Sequence, residues 1–149
     1  MSQTKSLKTD ILVIGSGIAG LSLALKLADQ HRVTLLAKAA LSEGSTQYAQ
    51  GGIAGVLDPF DTVNSHLNDT LEAGAGLCDP DVVKLVTEYA STSIQELIEL
   101  GVPFSRCEGD QCHYPFHLTQ EGGHSHRRVI HAADHTGLSI VDTLIQKVN

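Results

Sequence analysis

Three glycines lie at a spacing that suits phosphate binding. Gly15, Gly17 and Gly20 form the pattern G-x-G-x-x-G directly after an apolar run. In such a unit the first glycine permits a tight turn, the second lets backbone amides approach a pyrophosphate, and the third lets a helix pack closely on a strand. The helix N-terminus also favours an anion, because its N–H groups are unpaired and the helix dipole is positive there. These features predict a dinucleotide site formed by Gly15, Ser16, Gly17, Ile18, Ala19 and Gly20.

The acidic residue that usually holds the ribose of a dinucleotide is missing. It is expected about twenty positions after the glycines, at the end of the second strand. Ala37 and Lys38 occupy that place here, which speaks against a simple NAD site. Either a sugar held by the backbone or a phosphate that faces Lys38 would fit.

A polar, glycine-rich loop over residues 39–52 follows the second strand and offers further ligand contacts. Ser45, Thr46, Gln47 and Gln50 carry hydrogen-bonding side chains, and the pair Gly51-Gly52 gives backbone room for a flat ring. Loops of this length without structure are uncommon unless they are functional. We therefore interpret the loop as a ligand contact rather than an ordinary surface loop.

Histidine, arginine and glycine are concentrated in residues 117–137. The segment contains Glu121, His124, His126, Arg127 and Arg128, and two further histidines at 131 and 135. The histidine spacings would suit a metal, but two arginines would repel a cation. Arginine binds carboxylates through paired hydrogen bonds, so recognition of a carboxylate substrate or a flavin is favoured. Structural hydrogen bonding is the second interpretation and a metal the third.

The elements that must position these residues follow from hydrophobic patterning. Apolar runs at 11–14 and 33–37 predict two strands of a parallel sheet, buried on both faces and joined by a helix that begins at Ile18. The remaining pattern predicts a short extended piece at 53–57, helices at 62–73, 80–100 (N-capped by Asp79) and 138–148, and a strand at 102–106. The predicted fold class is α/β, a Rossmann-like domain with a parallel sheet.

Composition limits the class of protein. The chain of 149 residues is long enough for one domain, and its 42% apolar content agrees. A net charge of −7 argues against a nucleic-acid surface, and no apolar stretch is long enough for a membrane span. We expect a cytoplasmic protein without a signal peptide, whose three cysteines are free thiols.

The predicted sheet is incomplete. A doubly wound dinucleotide-binding fold needs five or six strands, and the pattern supplies only a few. We expect residues 1–149 to be the N-terminal portion of such a domain, with the remaining domains of a larger protein lying outside this chain.

Three stretches together resemble a known family. D-I-L-V-I-G-S-G-I-A-G-L-S-L-A-L, E-G-S-T-Q-Y-A-Q-G-G-I-A and L-T-Q-E-G-G-H-S-H-R-R-V-I-H-A-A-D-H-T-G are similar to the L-aspartate oxidase branch of the succinate dehydrogenase and fumarate reductase flavoproteins. The resemblance covers residues 10–149. The first motif is shared by many flavoproteins, whereas the other two are specific.

The resemblance implies FAD as the cofactor. It would be bound by the segment 15–20, by Lys38, and by the loop residues Ser45, Thr46, Gln47, Tyr48, Ala49, Gln50, Gly51 and Gly52. Succinate dehydrogenases carry a histidine that binds FAD covalently where this chain has Ser45. Serine cannot form that bond, so the resemblance implies non-covalent FAD.

The resemblance also implies a reaction. Glu121 matches the glutamate thought to orient the ammonium group of L-aspartate, whose oxidation gives iminoaspartate in NAD biosynthesis. Electrons would pass from FAD to oxygen or fumarate, and quinolinate synthase would consume the imine. The family's other catalytic residues fall beyond position 149, so the isolated chain is expected to be inactive. A fumarate reductase-like flavoprotein and an inactive FAD-binding fragment remain as alternatives.

Overall fold

The computed structural model describes residues 6–109 and 112–148. The elements in chain order are β1 (Ile11–Ile14), α1 (Ile18–Ala28), β2 (Val33–Leu36), a 3₁₀ helix (Ser45–Tyr48), β3 (Ile53–Ala54), α2 (Val63–Ala73), α3 (Pro80–Leu100), β4 (Leu118–Thr119), β5 (Val129–Ile130) and α4 (Thr136–Val148). None of the helices in this described part is long and apolar enough to cross a lipid bilayer.

The first two strands form a parallel pair with α1 as the crossover between them. Ile11 aligns with Val33 and Ile14 with Leu36, and α1 packs on both strands and on α4. The α/β class with a parallel sheet is therefore confirmed.

The expectation that the first strand is buried on both faces is wrong for the described residues. Val13 is buried, but Leu12 and Ile14 are 52% and 77% exposed. Alternate side chains point to opposite faces of a strand, and α1 covers only the face of Val13. The opposite face has no covering layer in the described part of the chain.

A second sheet was not expected from the sequence. It is antiparallel, with β5 at the centre between β3 and β4. Ile53 and Leu118 both align with Ile130, and Ala54 and Thr119 both align with Val129. Residues close to the cofactor loop and residues of the histidine-rich segment are thus joined through one short strand.

The predicted strand at 102–106 is absent. Pro103 has no N–H to donate, and the N–H of Phe104 bonds to the carbonyl of Val102 at 2.8 Å, which closes a tight local turn. Only an isolated antiparallel bridge between Arg106 and Phe116 remains. Both phenylalanines are nevertheless buried and belong to the core.

The predicted helix ends are confirmed by their caps. Asp79 accepts hydrogen bonds from the N–H groups of Asp81 and Val82 at 3.0 and 3.3 Å, and Pro80 is the first helical residue of α3. Thr62 caps α2 through the N–H of Ser65 at 3.1 Å. Gly101 ends α3 with φ +97°, a left-handed conformation that favours glycine.

The core lies between the helices and the second sheet. Its buried members are Leu21, Ile94, Leu97, Val102, Phe104, Phe116, Leu118, Ile130, Ala132, Ile140, Val141 and Leu144. The C-terminal half of the apolar face of α3 packs in this core. In its N-terminal half, four apolar side chains are more than half exposed: Val82, Leu85, Val86 and Tyr89.

The cysteines differ from the expectation of three free thiols. Cys107 and Cys112 form a disulfide, with their Cα atoms 5.9 Å apart, a separation that suits this bond. Cys78 is free. The sequence also predicts a turn at Gly109-Asp110 between these cysteines, of which Asp110 lies outside the described residues.

Candidate functional site

The glycine pattern folds as a tight connection from β1 into α1. Gly15 has φ +111°, and its N–H donates to the carbonyl of Leu36 at 2.9 Å at the end of β2. A Cβ built on Gly20 would collide with the carbonyl of Gly15 and lie 3.5 Å from Val13. The first and third glycines therefore have the conformational roles that the pattern predicts.

The N-terminus of α1 is open for a ligand. Gly17 is the N-cap and makes no side-chain cap bond, and the first turn contains no acidic residue. The N–H of Ile18 donates to the Thr46 hydroxyl at 3.3 Å. Thr46 thus holds the polar loop beside the helix N-terminus, which is the arrangement that an anion site on a helix dipole requires.

The loop was expected to be irregular, and this is wrong for residues 45–48, which form the 3₁₀ helix. This helix packs on the first turn of α4. The N–H of Gly137 donates to the carbonyl of Ala49 at 2.9 Å, and a Cβ on Gly137 would collide with the carbonyl of Thr46. Gly137 therefore sets the position of the loop, a role that sequence reasoning missed because its partner is distant in the chain.

The glycine pair at the end of the loop divides into two environments. A Cβ on Gly51 would meet no atom within 4 Å. A Cβ on Gly52 would collide with the carbonyl of Ile130 and with the side chain of Val129. Gly52 is required by the sheet, whereas Gly51 leaves open space for a ligand.

The structure gathers most of the predicted cofactor residues at one end of β1 and β2. Lys38 is exposed and follows β2 by two residues. Among the other predicted residues Ser16 is buried and Tyr48 is 67% exposed. Ala19, Ser45, Ala49 and Gln50 are exposed, and Gln47 is half-buried.

Glu121 lies on a turn that follows β4. The N–H of His124 bonds to the carbonyl of Glu121 at 3.1 Å, and Gly123 has φ +85°, the geometry of a type II turn with glycine at its third position. The Glu121 side chain is exposed, with one carboxylate oxygen 3.4 Å from the Thr119 hydroxyl that donates to it. The carboxylate is thus available to a ligand.

The two adjacent arginines have different environments. Arg128 is fully buried, whereas Arg127 is exposed and lines a pocket of ≈ 270 Å³ with His113 and His117. For Arg128 the second interpretation, structural hydrogen bonding, describes what is found, because its guanidinium forms buried ion pairs. No local pattern marks its burial, since Arg128 precedes β5 and both residues of that strand are buried as well.

Arg128 is held by two carboxylates. Its Nε and Nη2 donate to the two oxygens of Asp61 at 2.8 and 2.9 Å, and its Nη1 donates to Asp69 at 2.7 Å. Asp69 also accepts hydrogen bonds from the N–H and the hydroxyl of Ser125 at 2.7 and 2.8 Å. The backbone N–H of Ser125, with its hydroxyl and with Arg128, lowers the pKa of Asp69 to about 2.

Histidines surround this network. His126 Nδ1 lies 3.4 Å from Asp61 and 2.9 Å from the Ser125 hydroxyl. His66 and His124 pack edge to face with ring centroids 5.9 Å apart, and the Nδ1 of each is buried without a hydrogen-bond partner among the described residues. Burial, aided by Arg128 and His124, lowers the pKa of His66 below its ordinary value.

A second histidine pair connects two positions of the segment 117–137 that lie 14 residues apart. His117 Nδ1 lies 2.8 Å from His131 Nε2. Within residues 6–109 and 112–148, no three His, Cys, Asp or Glu side chains are grouped as metal ligands.

A protein-family model described as an FAD binding domain matches residues 10–149. The chain belongs to this family. FAD is accordingly the cofactor, and the glycine-rich turn, the open helix N-terminus and the space at Gly51 fit it. Such a site binds a pyrophosphate through backbone N–H groups.

Curated relatives of this FAD-binding domain are L-aspartate oxidases. The enzyme of Pseudomonas aeruginosa is 57% identical over 139 residues, which is 91% of this chain and 26% of the relative. That of Vibrio cholerae is 52% identical over 145 residues, 97% of this chain and 27% of the relative. The chain spans about a quarter of the length of these relatives.

Solved structures agree on the fold. The quinol fumarate reductase of E. coli matches with a TM-score of 0.85 at 29% identity, over 97% of this chain and 24% of that one. A flavocytochrome c3 fumarate reductase matches with a TM-score of 0.76 at 28% identity, over 93% of this chain and 24% of that one.

Proposed function

We propose that residues 1–149 form the N-terminal portion of the FAD-binding domain of an L-aspartate oxidase. The reaction is the oxidation of L-aspartate to iminoaspartate, with electrons passed to oxygen or fumarate. The observation that carries this proposal is the 57% identity to the Pseudomonas aeruginosa L-aspartate oxidase. Identity to the E. coli fumarate reductase is only 29%.

The fumarate reductase-like alternative is favoured by the fold, since the TM-score of 0.85 belongs to a fumarate reductase. The two functions share the cofactor site and differ in whether the substrate carries an amine. Glu121 bears on this difference, because a carboxylate pairs with an ammonium group and has no corresponding partner on succinate.

The residues of this chain hold and orient the reactants in this proposal. The N–H groups at the start of α1 bind the pyrophosphate of FAD, and the Thr46 hydroxyl keeps the loop 45–52 beside it. When bound, FAD would supply the redox chemistry as the two-electron acceptor for the oxidation of L-aspartate. Ser45 leaves the cofactor non-covalently bound.

The role of Glu121 is to orient the substrate amine. Its carboxylate is exposed on a turn, with a single hydrogen bond from the Thr119 hydroxyl at 3.4 Å. An ion pair with the ammonium group places the Cα hydrogen, and it strengthens as water is excluded from the site.

The proposal is tested on the protein expressed from its own gene. We expect flavin absorbance that is released into the supernatant on acid precipitation, and anaerobic bleaching by L-aspartate but not by succinate. Bleaching of the flavin by succinate, or flavin colour that stays in the pellet, would instead identify the protein as a dicarboxylate dehydrogenase. Absence of flavin would refute the cofactor site itself.

A matched pair of variants tests Glu121. We expect Glu121→Gln to raise the KM for L-aspartate by about ten- to a hundredfold, because the charge–charge contact with the substrate ammonium group is lost. Glu72→Gln is the control, since Glu72 is exposed on α2. Equal KM values for both variants and the wild type would show that Glu121 does not bind the substrate amine.

Two finer assignments also belong to the proposal. Quinolinate synthase is the partner expected to consume iminoaspartate, and the cytoplasm is the expected location. Cell fractionation and co-purification with quinolinate synthase test them.

A further inference from the structure

The turn that carries Glu121 is attached to α2 at its far end. His124, the last residue of the turn, accepts a hydrogen bond from Gln120 Nε2 on its carbonyl at 2.7 Å, and its ring packs on His66 of α2. The next residue, Ser125, donates twice to Asp69 of the same helix. Glu121 therefore lies on a short bridge between β4 and a fixed point on α2.

Arg128 fixes the other side of the attachment. Its N–H donates to the Thr119 carbonyl at 3.1 Å, where β4 and β5 pair. Its guanidinium donates to Asp69 at 2.7 Å and is fully buried. One carboxylate, that of Asp69, thus links α2 to both Ser125 and Arg128, on either side of His126.

The two carboxylates of this cluster, Asp61 and Asp69, have different roles in the attachment. Asp61 is buried, and both of its oxygens accept from Arg128, while one of them also accepts from the Thr62 N–H at 2.8 Å. Asp69 is partly exposed and its pKa is lowered, so it stays ionised. Removal of Asp69 would leave the Ser125 N–H without its acceptor, although the Ser125 hydroxyl keeps a contact of 2.8 Å with Ser65 of α2, and Arg128 keeps its pair with Asp61.

We infer that Asp69 and Arg128 are positioning residues for Glu121 and thereby determine the preference for an amino acid over an amine-free dicarboxylate. This inference rests on the proposed function. Asp69 acts through the Ser125 backbone, and Arg128 keeps Asp69 in place. Neither side chain contacts substrate in this scheme.

The experiment compares Asp69→Ala with Glu72→Ala in the FAD-loaded protein expressed from its own gene. Both changes remove a carboxylate from the last turns of α2, but only the first removes the acceptor of the Ser125 N–H. We expect Asp69→Ala to raise the KM for L-aspartate about tenfold or more with kcat within about twofold. Inhibition by succinate, FAD affinity and the behaviour of Glu72→Ala should stay as in the wild type.

Two outcomes would overturn the inference. Unchanged KM for L-aspartate in Asp69→Ala would show that the attachment does not place Glu121. Parallel loss of succinate inhibition and of FAD binding would show a general structural role. Asp69→Asn should recover part of the wild-type KM, because an amide oxygen still accepts from the Ser125 N–H.

A readout without substrate separates this inference from the proposed function. Amide hydrogen exchange over residues 121–125 should accelerate in Asp69→Ala and not in Glu72→Ala. If the wild type does not oxidise L-aspartate but this exchange difference is found, the proposed function fails while the attachment of the turn stands. Equal exchange in both variants would refute the attachment.

Discussion

The adjacent glycines 51 and 52 allow a sharp test of the loop geometry. The backbone at both positions lies outside the left-handed region, so alanine is tolerated by the backbone itself. A Cβ at Gly52 would overlap the carbonyl of Ile130 and the side chain of Val129. Both groups belong to β5, the central strand of its sheet, so the Ile130 carbonyl cannot shift without disturbing the pairing on two sides.

The cost follows from this overlap. Forcing a methyl group into a packed position costs about 1–3 kcal/mol, which in a domain of this size lowers the Tm by about 3–10 °C. Gly51→Ala meets no atom within 4 Å, so its Tm should stay within about 2 °C of the wild type, as for ordinary surface substitutions. The two substitutions differ by one position and by nothing else in chemistry.

For Gly51→Ala the expected effect is on FAD affinity rather than on the Tm. If the space there receives the cofactor, Gly51→Ala should weaken FAD binding about tenfold, or about 1.4 kcal/mol, with the Tm of the cofactor-free protein unchanged. Differential scanning fluorimetry with and without FAD, and a fluorescence titration of FAD, measure both quantities. Equal Tm values for the two variants would refute the packing argument at Gly52, and unchanged FAD affinity of Gly51→Ala would remove Gly51 from the site.

Two further predictions concern the first glycine turn and the buried histidine. Gly20→Ala should lower both the Tm and the FAD affinity, because its Cβ would collide with the Gly15 carbonyl; wild-type values in a melting curve and an FAD titration would contradict this. Because the pKa of His66 is lowered in the folded state, the unfolded state protonates first as the pH falls below about 6.5, and the free energy of unfolding decreases. His66→Phe should remove this part of the decrease, measured as urea midpoints at about pH 7.5 and 5.5, and an identical decrease in the variant would show that another group is responsible.

The sequence predicts those parts of the fold that depend on neighbours in the chain. The unit from β1 to β2, the cap at Asp79 and the stop at Gly101 have local signals, and each is found where expected. The short strands β4 and β5 have two residues each and depend on pairing with distant segments. No local pattern could separate them from the surrounding loop.

The site divides in the same way. The glycines of the dinucleotide pattern identify one side of the cofactor site, because their signal is local: an apolar strand precedes them and a helical pattern follows them in the chain. The burial of Arg128 in ion pairs depends on Asp61 and Asp69, which precede it by 67 and 59 residues. Two adjacent arginines with the same chemistry cannot be distinguished until these distant carboxylate partners are known.

The hydrogen bond from Gly137 to Ala49 also sets an order of events during synthesis. The glycine turn and the loop that follows it are made first, but the helix turn that supports the loop leaves the ribosome roughly 90 residues later, about 5–18 s at common elongation rates. A nascent chain therefore has the phosphate-binding turn well before it has a complete cradle. We therefore expect FAD to bind only after the start of α4 has been made. In the interval, the exposed apolar side chains of β1 and β2, which are Leu12, Ile14 and Leu36, are a surface that a chaperone would meet.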